Sequence, residues 1–430
     1  MKMKKNKIRV ISAVVSAIML ASSASAFAKF DAYNDSDGFT LGHYEVEVNQ
    51  EQRSETEKLY EQRPKNERQF ENLSRGLVAV PGENGTLVSW RFLGTDSNSL
   101  TYNLYCSGEK LNDKPITTTN FFHTGASTNA EYTLKEVENG EETGVEYTTT
   151  AWDKNYIGFK VTEREGYNID DGAVADLDGD GEYEILLRRV PSMDVNTRTS
   201  YPVIEAYKTD GTHMWTIDIG PNEINEVDIN FLAYDMDGDG KAEVIMRSFE
   251  GTTDGKGNTT GDTNGDGITD YSKSESNLAI FKDRQYIVST PEFLSIYDGE
   301  TGEETDRTDL KPSKEPLSDW SYRYSDTGRL TKRASHYLFG LAYLDGVTPS
   351  VVMVRGAWDN VRAAAWHIED GKFKEDWVHN TENKDDVNSI WGACNHNLVT
   401  VDVDFDGKDE ILSGPMAIDH DGSEMYAVKG

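Results

Sequence analysis

The chain has 430 residues, of which 76 are acidic and 43 are basic, so its formal net charge at pH 7 is −33. This acidity argues against binding to nucleic acid, whose phosphates need Lys and Arg partners, and equally against binding to anionic membrane surfaces. The length is sufficient for two or three domains of about 150 residues each.

The first 28 residues have the order of a secretory signal peptide. Basic residues occur within positions 2–9, an apolar run follows at Val10–Ala21, and small residues continue to Ala28. A signal peptide shows this succession and is cleaved after a small residue, here Ala26 or Ala28. The alternative, a membrane anchor, is disfavoured because the apolar run is shorter than the roughly 20 residues that a helical span needs. We therefore predict a secreted protein that is not embedded in a membrane.

The next two segments differ in composition and in residue pattern. Residues 29–66 are polar and charged, which predicts a linker with one exposed helix. Residues 67–162 contain short β-rich runs such as "RGLVAV", "TLVSWRFL", "LTYNLYCSG" and "AEYTLKEV", separated by turn sequences such as "PGENG". Short strands at regular spacing with turns between them predict a small N-terminal β-sandwich domain.

The sequence contains two cysteines, Cys106 and Cys394. Two cysteines do not make a disulfide-dense scaffold. We expect both to be buried small residues, and a disulfide bond between them is the open alternative, since an exported protein meets an oxidising environment.

From residue 163 to residue 430 an acidic loop recurs. It reads "DLDGDGEYEI" from Asp176, "DMDGDGKAEV" from Asp235 and "DVDFDGKDEI" from Asp402, and a related loop, "DTNGDGITDY", starts at Asp262. We name these the 176, 235, 402 and 262 loops. A β run followed by a turn also recurs, as in "IEAYKTDGTHMW" and "LSIYDGETGEET". Repeats that consist of strands and turns are typical of propeller blades, so the expected fold is all-β, a β-sandwich followed by a calcium-stapled, partial β-propeller.

The spacing of acids in these loops suits calcium. Asp at positions one, three and five directs carboxylates inward, Gly at position six permits a sharp turn, and an acid at position nine completes the ligand set. Oxygen-only ligands favour calcium over zinc. Because the loops are flanked by strands, the simplest interpretation is that calcium staples the blades. The predicted ligands are Asp176, Asp178, Asp180, Glu184, Asp235, Asp237, Asp239, Glu243, Asp262, Asn264, Asp266, Asp270, Asp402, Asp404, Asp406 and Glu410.

The chain contains, in this order, the segments "RGLVAV", "ADLDGDGEYEILL", "AYKTDGTHMWTIDIG", "YDMDGDGKAEV", "PEFLSIYDGETG" and "NHNLVTVDVDFDGKDEI". These collinear segments resemble the bacterial rhamnogalacturonan lyases of polysaccharide lyase family eleven, and the similarity runs from about Arg68 to the end. The resemblance implies a small β domain, a calcium-stapled propeller as catalytic domain, and β-elimination on the backbone of rhamnogalacturonan I. It further implies a continuation beyond Gly430, so we expect a propeller without its C-terminal blades and weak or no turnover by this chain alone.

The resemblance also indicates site residues. His396 in "GACNHNL" matches the histidine of the family and is the predicted catalytic residue, with a metal-ligand or structural role as alternatives. Asp170, a predicted substrate-binding residue, stands where relatives tend to have Asn. Val190, which is not among the predicted site residues, stands where they tend to have an acidic residue. The other predicted substrate-binding residues are Arg188, Arg189 and Arg355, because guanidinium groups pair with uronate carboxylates.

The first functional hypothesis is therefore an exported, monomeric lyase that uses calcium to cleave pectic rhamnogalacturonan I. A carboxylate beside galacturonate C5 must be neutralised by a cation before a base can remove the C5 proton. The second hypothesis is a non-catalytic, calcium-binding propeller fragment that binds pectin or a protein partner.

Overall fold

The computed structural model describes residues 57–64, 66–126, 129–192, 200–223, 229–282, 284–321, 325–356, 360–380, 390–393 and 396–427. The predicted signal peptide, most of the predicted linker and Cys394 lie outside the described residues. No helix among the described residues combines the length and the apolarity needed to cross a membrane.

Strands are the main regular structure of the described residues, and the all-β prediction is confirmed. Helical structure in this part of the chain is confined to short segments: residues 57–62, three 3-10 helices (Tyr271–Lys273, Glu275–Asn277 and Leu317–Trp320) and helix α1 (Thr327–Ser335). The carboxylate of Asp326 caps α1 by accepting from the Arg329 amide at 2.9 Å. The segment 57–62, within the predicted linker, is exposed.

The described residues form two compact units. The first unit comprises Gln69–Leu310 and Ile368–Phe373, and the second comprises Lys311–His367, Lys374 to the end of the chain and the residues up to Arg68.

The N-terminal part of the first unit contains two antiparallel sheets that share one hydrophobic core. One sheet has the order β1-β2-β5 and the other has the order β4-β3-β6-β7. Their strands are β1 (Val78–Gly82), β2 (Gly85–Ser89), β3 (Thr101–Cys106), β4 (Glu109–Lys110), β5 (Asn120–Thr124), β6 (Glu131–Glu138) and β7 (Glu141–Thr150). Apolar side chains from both sheets, among them Val88, Tyr102 and Leu134, are buried together because alternate residues of each strand face inward. Cys106 packs against this core as a free thiol but is only half-buried, so the expectation of full burial is wrong for this residue.

The remainder of the first unit contains two four-stranded antiparallel sheets and a hairpin. The first sheet consists of β8 (Tyr167–Ala175), β9 (Glu184–Pro191), β10 (Val203–Tyr207) and β11 (His213–Asp218). The second sheet consists of β12 (Phe231–Tyr234), β13 (Glu243–Phe249), β16 (Glu292–Tyr297) and β17 (Glu304–Asp309). The hairpin consists of β14 (Leu278–Phe281) and β15 (Arg284–Ile287). Central strand β10 is buried throughout, whereas outer strand β17 alternates between half-buried and exposed residues. Buried residues of both sheets, including Leu186, Ile217 and Val244, form one core.

The second unit contains two further four-stranded antiparallel sheets. Their strands are β18 (Tyr337–Ala342), β19 (Ser350–Arg355), β20 (Arg362–Glu369) and β21 (Lys372–Asn380) in one sheet, and β22 (Val399–Val401), β23 (Glu410–Ser413), β24 (Met416–Ile418) and β25 (Glu424–Ala427) in the other. Val352, Ala363 and Ile411 belong to the core that these sheets share. Each sheet has its strands in chain order, as a blade would; the assembly of the sheets into a propeller stays a prediction.

A tryptophan on an outer strand contacts a glycine-containing turn of the next sheet in each unit. In the first unit the Trp215 indole donates to the Gly299 carbonyl at 2.7 Å, and a Cβ on Gly302 would lie 2.8 Å from the ring. In the second unit the Trp377 indole donates to the His420 carbonyl at 3.0 Å. A Cβ built on Gly422 would lie 2.7 Å from that ring, so close packing requires glycine at both turns.

Candidate functional site

The Asp-rich loops fold around the carboxylate of their first residue. Asp176 accepts from the amides of Gly179 and Gly181, both at 2.8 Å, and Asp235 accepts the corresponding amides of its loop at 2.7 and 3.0 Å. Gly181 has φ +88°, a left-handed conformation that glycine adopts without steric cost. The short spacing between acids and glycines therefore builds a compact turn from backbone N–H donors.

The ninth residue of three loops is a glutamate that opens a strand and turns back over the loop. Its carboxylate accepts from the amide of the second loop residue, and the same bond occurs three times: Leu177 to Glu184 at 2.9 Å, Met236 to Glu243 at 2.9 Å, and Val403 to Glu410 at 2.7 Å. This bond uses one oxygen of each glutamate and leaves the second oxygen out of the bond.

Carboxylates in these three loops lie close enough to share an ion. Ligand atoms within 4.8 Å of one another occur in the groups Asp176, Asp178 and Asp180; Asp235, Asp237 and Asp239; and Asp402, Asp404 and Glu410. Burial, aided by neighbouring carboxylates, raises the pKa of Glu243 to about 8 and that of Glu410 to about 9. Burial likewise raises the pKa of the first Asp in each loop. Close, desolvated carboxylates of this kind favour a bound cation.

Three buried oxygens in these loops make no hydrogen bond within the described part of the chain: Asp178 Oδ1, Asp402 Oδ1 and Glu410 Oε1. A buried polar atom without a partner costs free energy, and a divalent cation bound by oxygen would remove that cost. The donor sets of the 176, 235 and 402 loops therefore fit calcium.

His420 is a neighbour of the 402 loop that sequence reasoning missed. One of its ring nitrogens lies within 4.8 Å of carboxylate oxygens of Asp406 and Glu410. Its Nε2 lies 3.1 Å from the Lys408 ammonium, which can only donate. The histidine follows β24 in a turn, and no loop spacing links it to Glu410, so only the folded sheet brings them together.

The 262 loop differs from the other three. Asp262 accepts from Gly265 and Gly267 at 2.7 and 2.8 Å, as the motif predicts. Asp270, the predicted ligand at position nine of this loop, instead accepts from the amide of Ser272 at 3.1 Å and caps a 3-10 helix. The chain continues from this loop into helix rather than into a strand, so its last acid has a different partner.

Glu71 is another acid that the sequence did not single out. Burial and the nearby carboxylates of Asp235 and Asp176 raise its pKa to about 7, while the Arg91 guanidinium acts in the opposite direction. It stands outside every repeated motif, so no spacing could identify it.

A bulge in β8 positions one predicted pair of substrate-binding residues. The register of β8 against β9 shifts between Ile169 and Asp171, which makes Asp170 the extra residue. Arg188 Nε donates to Asp170 Oδ2 at 2.9 Å, and Arg188 also donates to the Ile229 carbonyl. Bulges re-aim side chains next to functional sites. Arg188 thus lies beside a half-exposed carboxylate at the edge of its sheet.

Arg189 faces the opposite side of β9. Its Nη1 lies 3.1 Å from Glu205 Oε2, and Glu205, which is 0% exposed, also accepts from the Tyr207 hydroxyl at 2.8 Å. Arg189 therefore takes part in a buried ion pair with Glu205. Val190, the next residue, is buried.

The predicted residues of the second unit lie near one end of the sheet β18–β21. His396 is exposed, and its ring centroid is 5.1 Å from that of His336, which follows α1 and is buried. The His336 carbonyl accepts from Gly356 at 2.8 Å, and Gly356 follows Arg355, which is fully buried at the end of β19. The structure therefore brings His396 and a second imidazole together near the end of β19. Sequence reasoning did not single out His336, because it lies far from His396 in the sequence and only the fold brings the two rings together.

Two family models match the chain. "Rhamnogalacturonan I lyases beta-sheet domain" matches residues 68–152, and "Rhamnogalacturonan lyase family 11, C-terminal domain" matches residues 158–430. The two matches cover successive parts of the chain without overlap.

Individual relatives agree with the models. The chain is 38% identical over 375 residues to the rhamnogalacturonan endolyase YesW of Bacillus subtilis (strain 168), covering 84% of this chain and 57% of the relative. It is 37% identical over 377 residues to the rhamnogalacturonan exolyase YesX of the same organism, covering 84% of this chain and 58% of the relative.

Solved structures give the same result. The crystal structure of YesX matches with a TM-score of 0.72 at 37% identity, and covers 84% of this chain and 59% of its own. A Bacillus licheniformis rhamnogalacturonan lyase matches with a TM-score of 0.71 at 36% identity, covering 84% of this chain and 62% of its own. The chain spans just under three fifths of the length of its curated relatives. The family resemblance inferred from the sequence is confirmed: the chain belongs to rhamnogalacturonan lyase family 11.

Proposed function

We propose that this protein is an exported polysaccharide lyase that cleaves the rhamnogalacturonan I backbone of pectin by calcium-assisted β-elimination at galacturonate. The observation that carries the proposal is the collinear match to both domain models, with 38% identity to an endolyase and 37% identity to an exolyase.

The reaction sets a clear requirement on the site. A base removes the galacturonate C5 proton, the electron pair forms the C4–C5 double bond, and the C4–O4 bond breaks so that the rhamnose-bearing oxygen leaves with a proton. The uronate carboxylate must be neutralised, because negative charge develops beside it. A bound calcium ion supplies part of that neutralisation.

Residues of this chain suit the remaining tasks. The Arg188 guanidinium is itself buried but pairs with a partly exposed carboxylate, so a uronate that displaced Asp170 would meet the same donors. His396 is exposed and is the proposed proton acceptor, with the buried His336 ring 5.1 Å away as its positioning neighbour. Arg189 is left out of the proposed site, because its partner is the fully buried Glu205.

Calcium also supports the fold in this proposal. The 176, 235 and 402 loops group carboxylate oxygens within 4.8 Å of one another. The 176 and 402 loops also hold buried oxygens without hydrogen-bond partners among the described residues. We propose that each of these loops binds one calcium ion and fastens its strands. Metal binding would offset part of the net charge of −33.

The test is incubation of the purified protein with rhamnogalacturonan I, with calcium and with chelator, while the ultraviolet absorbance of unsaturated uronate is followed. The proposal expects a small but measurable rise of the absorbance with calcium, since weak turnover is expected of this chain alone, and no rise with chelator. His396→Gln should abolish the rise. The matched control His367→Gln, which changes a histidine paired with Asp376 at 2.7 Å, should leave it unchanged.

Polymer binding without any absorbance change would favour the second hypothesis, a non-catalytic calcium-binding protein. The size distribution of the products then separates internal from terminal cleavage, because internal cleavage lowers the mean chain length early in the reaction.

A further inference from the structure

The 262 loop has a carboxylate partner that does not belong to its motif. In the 176, 235 and 402 loops the amide of the second residue donates to the closing glutamate. In the 262 loop the second residue is Thr263, and its amide donates to Glu250 Oε1 at 2.7 Å. The Thr263 hydroxyl donates to the same oxygen at 2.5 Å. Glu250 thus makes the bond that the ninth residue makes elsewhere.

The other oxygen of Glu250 is unsatisfied. Glu250 is 0% exposed, and its Oε2 makes no hydrogen bond within the described residues. In the 402 loop Glu410 shows the same combination, a closing bond through one oxygen and a buried second oxygen without a hydrogen bond. A buried carboxylate oxygen with no hydrogen-bond donor costs free energy, and a cation bound beside it would remove that cost.

The rest of the loop is arranged as the motif requires. Asp262 is held by two glycine amides, and Asp266 accepts from the Ile268 amide at 2.8 Å. Asn264 Oδ1 accepts from the Asp266 amide at 2.9 Å, as Asp237 Oδ1 accepts from the Asp239 amide in the 235 loop. Asp270 is engaged elsewhere, through Ser272 and through the Lys273 ammonium at 3.1 Å.

We infer that Glu250, and not Asp270, closes a fourth divalent-cation site with Asp262, Asn264 and Asp266. The ligands are oxygens only, with three carboxylates and one amide, so the site suits calcium. This inference rests on the proposed calcium binding by the other loops.

The site joins two parts of the chain. Glu250 immediately follows β13, and β13 begins with Glu243, the closing residue of the 235 loop. One strand therefore carries closing acids for two ions, one near each end. The 262 loop belongs to the insertion between β13 and β16, so an ion held by Glu250 would fasten that insertion to the sheet.

Calcium stoichiometry tests the inference. Equilibrium dialysis of the purified full-length chain, with plasma mass spectrometry of bound calcium, should show one ion fewer for Glu250→Gln than for the wild type. Asp270→Asn and the exposed control Glu275→Gln should keep the wild-type number. Full stoichiometry in Glu250→Gln, or loss of one ion in Asp270→Asn, would overturn the assignment.

Asp266→Asn is the second variant, because Asp266 is exposed and its loss does not threaten folding. It should weaken binding of one ion by at least about tenfold. Unchanged binding by Asp266→Asn would count against the site even if Glu250→Gln failed to fold. A wild type that binds no calcium at all would remove the calcium part of the proposed function as well, so the two failures are distinguishable.

Limited proteolysis tests whether loss of the ion at Glu250 loosens the 262 loop itself. Lys256 and Lys273 flank the 262 loop and are exposed. Trypsin should cut at these two lysines faster in Glu250→Gln than in the wild type when calcium is present, and equally fast in both when chelator is present. Equal cleavage in calcium would contradict the proposed fastening.

Discussion

Arg188 and Arg189 are adjacent in sequence, yet their environments differ because successive side chains of a strand point to opposite faces. Arg188 pairs with the bulge residue Asp170, whose side chain is 36% exposed, and Arg189 pairs with Glu205, whose side chain is 0% exposed. The sequence predicted the same role for both arginines, because an Arg-Arg pair at a strand end carries no information about facing direction until the partner strands are known.

We expect different consequences from the two substitutions. Arg188→Gln should lower kcat/KM on rhamnogalacturonan I by about 10- to 100-fold, since a charge-assisted contact contributes about 1.5–3 kcal/mol. Its melting temperature should change little. Arg189→Gln removes one of the two guanidinium partners of the buried Glu205, the other being Arg164, and should be the more destabilising change. Steady-state kinetics and thermal melts separate the two. A result in which both variants lose only stability would place Arg188 outside the site.

Glu71 gives a pH-dependent prediction. Its pKa is about 7 in the folded chain against 4.5 in the unfolded chain, so the folded state holds the proton more tightly. The associated stabilisation is complete below pH 4.5 and is lost as the pH rises through 7, at up to about 1.4 kcal/mol per pH unit. In the presence of chelator, the free energy of unfolding of Glu71→Gln should therefore fall less than that of the wild type as the pH rises from 4.5 to 7. Denaturant melts at several pH values measure this, and parallel curves for the two proteins would refute it.

At the scale of single elements, the acidic loops were the most predictable feature. Asp, Gly and Glu lie within nine residues, and the bonds that shape the turn join neighbours, so local spacing suffices. The closing bond to Thr263 could not be predicted, because Glu250 approaches from the preceding strand. Helix α1 was missed as well: its buried residues Leu330 and Ala334 pack on Trp320, a contact that only the fold creates.

Substitution of a closing glutamate should change the melting temperature in opposite directions in chelator and in calcium. Glu243 has a pKa of about 8 through burial, so in chelator at pH 8 the neutral Glu243→Gln should match or exceed the wild type in melting temperature. With calcium at 100 times its Kd, loss of one bound ion costs about 2.7 kcal/mol, so the same variant should melt several degrees lower. Glu300→Gln changes an exposed acid paired with Lys241 and should behave as the wild type in both. A variant that melts like the wild type in calcium would show that the 235 loop holds no ion.

For the whole molecule, the all-β fold and the family were predictable because strand-and-turn patterns and several motifs recur in order. The grouping into units could not be predicted, because the second unit combines residues up to Arg68 with residues from Lys311 onward, which are far apart in the sequence. Net charge, in contrast, can be taken directly from the sequence and has a consequence for substrate binding.

An acidic protein and an anionic polymer repel each other. With a net charge of −33, we expect rhamnogalacturonan I binding to require calcium, since bound divalent ions reverse the local sign of charge. Affinity electrophoresis in gels that contain the polymer should show retardation with calcium and none with chelator. Sodium chloride at the same ionic strength is the control. Equal retardation in all conditions would mean that the protein's own cations suffice.

Export is testable at the same scale. If residues 1–28 direct secretion, protein recovered from the culture medium should begin after Ala26 or Ala28, as N-terminal sequencing would show. Recovery of the protein only inside cells with Met1 in place would refute the proposal.

The repeated contact between tryptophan and glycine turn gives each unit an optical reporter of its own. Trp215 and Trp377 each lie against a turn of the neighbouring sheet, so their fluorescence should respond when that pair of sheets separates. Replacing one indole by phenylalanine removes one signal and leaves the other. The difference spectra would then show whether the two units melt together or one after the other, and which of them releases first when chelator is added.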